Sequence, residues 1–328
     1  MPRDGITSLN TQASFDMTQT FNILTKTVII TILTTCVGAI ALADAKDQAI
    51  SETRVVILGT GTPVMDANRA GPGVAVVSGG EAYLFDAGAG VVRNAIIAAQ
   101  KKGISELDPL QIKHVFFTHI HSDHTIDLSE LVQTMWFKRE GRIDVYGPGE
   151  IEQIVNGMNA MIAPDIEFRM HSLQPVPRKD PKLVDAHVIK AGVVYQADSI
   201  HIEAFLVEHG DLKPSFGYKV VTPDKTIVIS GDTTFSKTLI DKAKGADVLV
   251  HEVMSEKGVQ QLSDVWQKYH RAYHTTTTQV AEIAKQTRPK LLVLYHLFFA
   301  GVDEDSLLNE VKEKYDGPVV LPHDLDVF

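Results

Sequence analysis

The sequence predicts an α/β sandwich, two sheets packed face to face with helices outside. Three observations carry this. Short runs rich in β-branched and aromatic residues occur in both halves of the chain, helical periodicity separates the later runs, and no repeat at a short fixed period appears. Residues 52–200 and 201–328 then each supply one sheet, and the two sheets share a single cleft.

The elements follow in order. Residues 54–58 form a strand run that ends in Gly59-Thr60-Gly61-Thr62-Pro63, and residues 74–77 and 82–85 form two more. Gly59 and Gly61 imitate a dinucleotide-binding loop. However, Pro63 stands where its helix should start and the third glycine is missing, so a nucleotide site is set aside. Val91, Val92, Ile96 and Ile97 give a helix over 91–101 one apolar face. After the apolar run Val115-Phe116-Phe117 come a helix over 128–137, a strand over 143–146 and a helix over 150–161. Residues 164–189 contain prolines, show little periodicity and read as a linker. Strands recur at 202–207, 216–221, 226–230, 248–250, 291–295 and 318–321, with helices at 237–244, 277–286 and 306–314.

The first fifty residues differ from the rest. Residues 27–43 are an uncharged apolar run between Lys26 and the polar Asp44, Lys46 and Asp47. The run ends in Ala41-Leu42-Ala43, which reads as a secretory signal peptide over residues 1–43, cleaved after Ala43 or equally after Ala45, with Met17 as an alternative start. On that reading residues 44–328 form a single exported domain, periplasmic or secreted, without a stable membrane anchor. Cys36, the only cysteine, lies in the removed run, so the mature chain has no thiol. Arg3 and Lys26 cancel Asp4 and Asp16, so the mature chain keeps the net charge of -10. An acidic surface disfavours polyanions, whose binding rests on Lys and Arg, so no nucleic-acid partner is expected.

The chemistry is concentrated in Thr118-His119-Ile120-His121-Ser122-Asp123-His124. In an extended stretch, residues two apart point to one side, so His119 and His121 can grip the same ion. Asp123 and His124 face a neighbouring position if the chain turns into a helix there. Neutral imidazoles and carboxylates are the ligand set of zinc, with iron or manganese tolerated. Further donors follow strand runs: His209 after Phe205-Leu206-Val207-Glu208, Asp232 after Ile227-Val228-Ile229-Ser230-Gly231, and His296 after Leu291-Leu292-Val293-Leu294-Tyr295. Polar residues at strand ends can converge on one sheet edge while the apolar runs hold them in place.

These motifs, together with His209-Gly210, Ser215-Phe216-Gly217-Tyr218, Ser230-Gly231-Asp232-Thr233, His251-Glu252 and Tyr273-His274-Thr275-Thr276, resemble the metallo-β-lactamase superfamily and its ribonuclease Z and zinc arylsulfatase branch. The resemblance runs from Leu58 to the C-terminus. It implies an αββα fold of two mixed sheets that binds two zinc ions. In that scheme His119, His121 and His209 hold one ion, Asp123, His124 and His296 hold the other, and Asp232 bridges them. A water shared by the two ions is acidified and attacks the ester, and Asp123 also orients it. The resemblance makes His274 the proton donor to the leaving oxygen, with Glu252 setting its tautomer.

Only residues 219–229 separate Tyr218 from Ser230, which leaves no room for a tRNA-binding arm. With the export signal and the acidic surface, this points to an aryl sulfate ester, a small anionic substrate. The alternatives are a phosphodiester of the ribonuclease Z type and, further off, a lactone or thioester. A homodimer is compatible with the reading. Trp136, Phe137, Trp266, Tyr269 and Tyr273 are candidates for a wall against a flat leaving group, and no substrate-binding residue is assigned. Di-iron redox chemistry would prefer a carboxylate where the chain has His121, which argues for hydrolysis.

Overall fold

Every strand run of the sequence finds a place in one of two sheets. The structure, a computed structural model, describes residues 52–176 and 180–328. The apolar run at 27–43 and the signal-peptide reading lie outside the described residues. No described helix is long and apolar enough to cross a membrane.

The first sheet has the order β1 (Arg54–Gly59), β2 (Gly73–Ser78), β3 (Glu81–Phe85), β4 (His114–Phe116), β5 (Ile143–Gly147) and β6 (Val184–Val188). Its first three strands are antiparallel, and β3 to β6 run parallel. The second sheet comprises β7 (Gly192–Ala197), β8 (Ile200–His209), β9 (Leu212–Val221), β10 (Thr226–Ile229), β11 (Val248–Met254), β12 (Leu291–Phe298) and β13 (Val319–Val320), neighbours in that order. There β7 to β10 are antiparallel and β10 to β13 are parallel. The sheets are mixed, as the resemblance implies.

Burial explains why the strands read as continuous apolar runs. Along β1, Val55 and Ile57 face the second sheet, where they join Phe216, Tyr218, Val250 and Tyr295, whereas Val56 and Leu58 pack outward with Val91 and Ala95. Successive side chains point to opposite faces, and here both faces are covered. The outer layer includes α1 (Val91–Lys101), α2 (Ser122–Thr125), α3 (Leu128–Gln133) and α4 (Ile151–His171) on the first half. The second half carries α5 (Lys237–Ala243), α6 (Glu256–Val259), α7 (Asp264–Tyr273), α8 (Thr277–Thr287) and α9 (Glu304–Lys312). Each fully buried Phe or Leu contributes about 1.5–3 kcal/mol relative to solvent exposure.

The linker over 164–189 is not one. The helix α4 continues through Pro164 to His171, and β6 closes the first sheet at Val184–Val188. The proline costs that helix a single N–H donor, and β6 is five residues long with only Val184 buried, too short and too exposed to stand out as an apolar run in the sequence. The boundary between the halves also shifts, because β7 and the start of β8 belong to the second sheet. The helix placed over 128–137 stops at Gln133, and a turn of 3-10 helix follows at Trp136–Lys138. Helix α7 has no counterpart in the sequence reading, because none of its residues is buried and so it lacks a core-facing stripe.

The parallel strands bring the chemistry together. The chain leaves β4 towards His119, and the C-terminal ends of β8, β10, β11 and β12 carry His209, Asp232, Glu252 and His296. All of them reach the same edge of the sandwich.

Candidate metal centre

Three imidazole nitrogens meet first. His121 Nδ1 lies 3.1 Å from His119 Nε2 and 3.2 Å from His209 Nε2. The outer nitrogens of two of these rings are committed elsewhere: His119 Nδ1 donates to Thr118 Oγ1 at 2.9 Å, and His209 Nδ1 donates to the carbonyl of Tyr273 at 2.8 Å. Their inward nitrogens therefore present lone pairs. One shared proton could relieve one pair of nitrogens but not three. A tetrahedral zinc ion, with nitrogens about 2.0–2.1 Å away, fits a triangle of this size.

The second set lies alongside. His124 Nε2 is 3.5 Å from Asp123 Oδ2, and His296 Nε2 is 3.4 Å from the same oxygen. Asp232 Oδ2 sits 3.4 Å from His124 Nε2 and 3.3 Å from His296 Nε2, and 4.0 Å from both His119 Nε2 and His209 Nε2. That oxygen lies between the two donor sets. His124 Nε2 and Asp232 Oδ1 are buried with no hydrogen-bond partner, an arrangement that costs free energy unless a cation satisfies them. Donor chemistry, spacing and orphaned atoms all fit divalent metal.

The backbone places these groups by specific devices. His121 occupies the cap position of α2, so the chain turns there and sends Asp123 and His124 to the second set. His296 is an extra residue in its strand: Glu252 pairs with Tyr295 and Val253 with Leu297, which leaves His296 as a bulge with φ at 46°. The sequence reading put His296 in a loop after the strand, but β12 runs on to Phe298 and the bulge turns the side chain inward. Tyr218 Oη donates to the carbonyl of Phe117 at 2.6 Å, and the Phe216 N–H donates to that of Thr118 at 2.8 Å. These bonds tie the His119 segment to the second sheet.

Asp86 is the residue whose role the sequence did not suggest. Its Oδ2 accepts from His124 Nδ1 at 2.9 Å and from Thr118 Oγ1 at 2.8 Å, and its Oδ1 accepts from the Thr118 N–H at 2.8 Å. One carboxylate thus orients His124 directly and His119 through Thr118. The only signal available was an Asp at the end of a strand followed by Gly88.

Electrostatics divide the sets. Burial holds His119 well below the ordinary imidazole range, lowers His121 and brings His209 down to about 4. These rings are neutral, the form that ligates metal. For His124 burial acts in the same direction, but Asp232, Asp86 and Asp123 outweigh it and raise the group well above its ordinary value. Burial opposes charge on Asp123 and Asp232, yet the surrounding imidazoles hold the first below and the second well below the usual carboxylate range.

His274 closes α7 and stands beside both sets. Its Nδ1 is 3.3 Å from Glu252 Oε1, at an angle short of a hydrogen bond, and 3.9 Å from Asp232 Oδ2. Burial disfavours its charged form, but Glu252 and Asp232 reverse this and raise it to about 9. Glu252 is fully buried, and burial raises its carboxyl against the pull of His274. Its Oε1 accepts from the N–H groups of Thr233, at 3.1 Å, and Thr275, at 3.0 Å.

The candidate aromatic wall separates into two groups. Trp136 is fully buried and donates Nε1–H to Asp165 at 3.0 Å, and Phe137 packs on the same core. Both serve packing of the first half. Tyr273 instead meets His209 edge to face, with ring centroids 5.1 Å apart. The Gly59-Thr60-Gly61 segment also has a packing reason. A Cβ on Gly59 would stand 1.8 Å from the carbonyl oxygen of Gly71, so the strand end needs glycine for close backbone approach.

A family profile described as "Beta-lactamase superfamily domain" matches residues 81–297. The chain belongs to the metallo-β-lactamase superfamily. Membership in that superfamily implies a divalent metal, typically zinc, and a hydrolase. Among curated relatives, ribonuclease Z of Mycobacterium sp. (strain KMS) is 32% identical over 246 residues, 74% of this chain and 83% of that protein. Among solved structures, the metallo-β-lactamase fold protein YhfI of Bacillus subtilis superposes with a TM-score of 0.65 at 21% identity, covering 85% of this chain and 100% of that one. Human tRNase Z, short form, superposes with a TM-score of 0.57 at 24% identity over 84% of this chain and 98% of that one. These two structures speak for the fold.

The relatives correct the expectation about partners. A small anionic ester with nucleic acid excluded conflicts with a relative named ribonuclease Z at this identity and coverage. The net charge of -10 is a sum over the whole chain, and it does not describe the field at a cleft where metal charge dominates.

Proposed function

We propose that the protein is a phosphodiesterase of the ribonuclease Z type, acting on RNA with two zinc ions. The observation that carries the proposal is the position of Asp232 Oδ2 between the two donor sets with His274 Nδ1 3.9 Å away. The curated ribonuclease Z relatives favour a phosphodiester over the sulfate ester. His119, His121 and His209 are assigned to one ion, Asp123, His124 and His296 to the other, and Asp232 to both. Bound there, the ions supply Lewis acidity and a nucleophile at neutral pH.

The chain's own groups do the rest. Asp123 Oδ2, at the less buried edge of its set, orients the attacking water. Glu252 holds His274 at Nδ1, which leaves Nε2 to pass a proton to the departing oxygen of the ribose. The N–H groups of Thr233 and Thr275 fix Glu252 in place, so the pair is preorganised before substrate arrives.

The test is a side-by-side comparison of zinc-loaded protein on an RNA with a single-stranded 3′ extension, on bis-p-nitrophenyl phosphate and on p-nitrophenyl sulfate. The proposal expects both diesters to be cleaved at least a hundredfold faster than the sulfate. Faster sulfate cleavage overturns it.

A further inference from the structure

Helix α7 exposes an aromatic face that ends in the metal centre. Trp266, Tyr269, His270 and Tyr273 are spaced i, i+3, i+4 and i+7, so they share one side of the helix. In a core helix that side would be buried. Here Trp266 keeps 55% and Tyr269 42% of its surface exposed, and no residue of the helix is buried. The rings are ordered against one another. Tyr269 stacks on Tyr273 with centroids 4.6 Å apart, Trp266 stacks on His270 at 5.7 Å, and Trp266 meets Tyr269 edge-on at 5.6 Å. His270 in turn rests on Phe298 at 4.4 Å.

The inner end of the face is part of the site. The carbonyl of Tyr273 accepts from His209, its ring meets the same histidine edge to face, and the next residue is His274. Gly210, with φ at 54°, permits this, because a Cβ there would stand 2.2 Å from the Tyr273 ring. A substrate whose ester sits at the donor sets therefore passes its neighbouring groups over α7. What this surface offers is flat π-faces, which is what unpaired bases stack on. From Tyr273 to Trp266 the helix rises roughly 10 Å, enough for about three bases at single-strand spacing.

We propose that this face of α7 is a stacking platform for unpaired nucleobases of single-stranded RNA flanking the scissile phosphate. It gives an acidic chain a way to hold RNA that does not depend on many phosphate contacts. The inference rests on the phosphodiesterase reading, and its test separates the two. Zinc-loaded full-length protein and its W266A and Y269A variants are assayed on a twelve-residue oligouridylate and on methyl p-nitrophenyl phosphate. The ratio of kcat/KM for RNA to that for the small diester falls about tenfold in each variant, with the loss in KM, and W266F restores most of it. An unchanged ratio, or equal losses on both substrates, overturns the platform. So does a change in oligomeric state in the variants, which would make the face a subunit contact. If the wild type cleaves neither substrate, the phosphodiesterase reading fails on its own. Quenching of the Trp266 emission by the oligouridylate, lost in W266F, then still supports the platform, and no quenching overturns it.

Discussion

Asp86 Oδ2 accepts from His124 Nδ1 at 2.9 Å, and that bond decides which nitrogen of the imidazole faces the centre. Because the same oxygen also accepts from Thr118 Oγ1, one buried carboxylate sets the orientation of a histidine in each donor set. Asp86→Asn is expected to lower zinc affinity about 10–100-fold, as loss of an outer hydrogen-bond partner does elsewhere. Competition with a zinc chelator measures it, and unchanged affinity would show that His124 does not depend on Asp86.

Removing the proposed proton donor should discriminate among leaving groups. His274→Ala is expected to slow cleavage of RNA about 10²–10⁴-fold while slowing release of p-nitrophenolate far less, since a good leaving group needs no proton. Glu252→Gln should fall between the wild type and His274→Ala and shift the alkaline limb of the pH profile. Equal slowing of good and poor leaving groups would remove His274 from the proton-donor role.

Acid should empty the two donor sets in order. In the metal-free protein His124 is held well above the ordinary range, so it carries a proton at neutral pH that a metal ion must displace. His119, His121 and His209 are lowered and already neutral. As pH falls, competition by protons therefore weakens the set of Asp123, His124 and His296 first. Calorimetry in buffers of different ionisation enthalpy should show net proton release on binding of the second equivalent, and release confined to the first would contradict this.

The sequence reading named the seven residues that the structure brings together, and the two-sheet architecture, because both leave local marks: histidines two apart after an apolar run, and single polar residues at the ends of strands buried on both faces. What it could not reach depends on distant contacts. Asp86 acts through hydrogen bonds to Thr118 and His124, which are 32 and 38 residues away. The bulge at His296 exists only relative to the register of β11. Nucleic acid was excluded partly on net charge, a property of the whole surface applied to a local cleft; the end of α4 was missed because it lies beyond Pro164, and β6 because it is five residues long with only Val184 buried.

Gly59 separates packing from ligand binding as the reason for the glycine-rich turn. Gly59→Ala forces a Cβ into the Gly71 carbonyl and is expected to destabilise the fold by about 2 kcal/mol or more. Thermal melting reads this as a lower Tm, and an unchanged Tm would reopen the question of what the turn serves.

The claim that the two donor sets act together through Asp232 is tested most directly by adding zinc stepwise to chelator-treated protein while following RNA cleavage. Activity is predicted to stay low through the first equivalent per chain and to rise to its plateau at the second. Full activity at one equivalent, or none at any zinc level, would contradict the account.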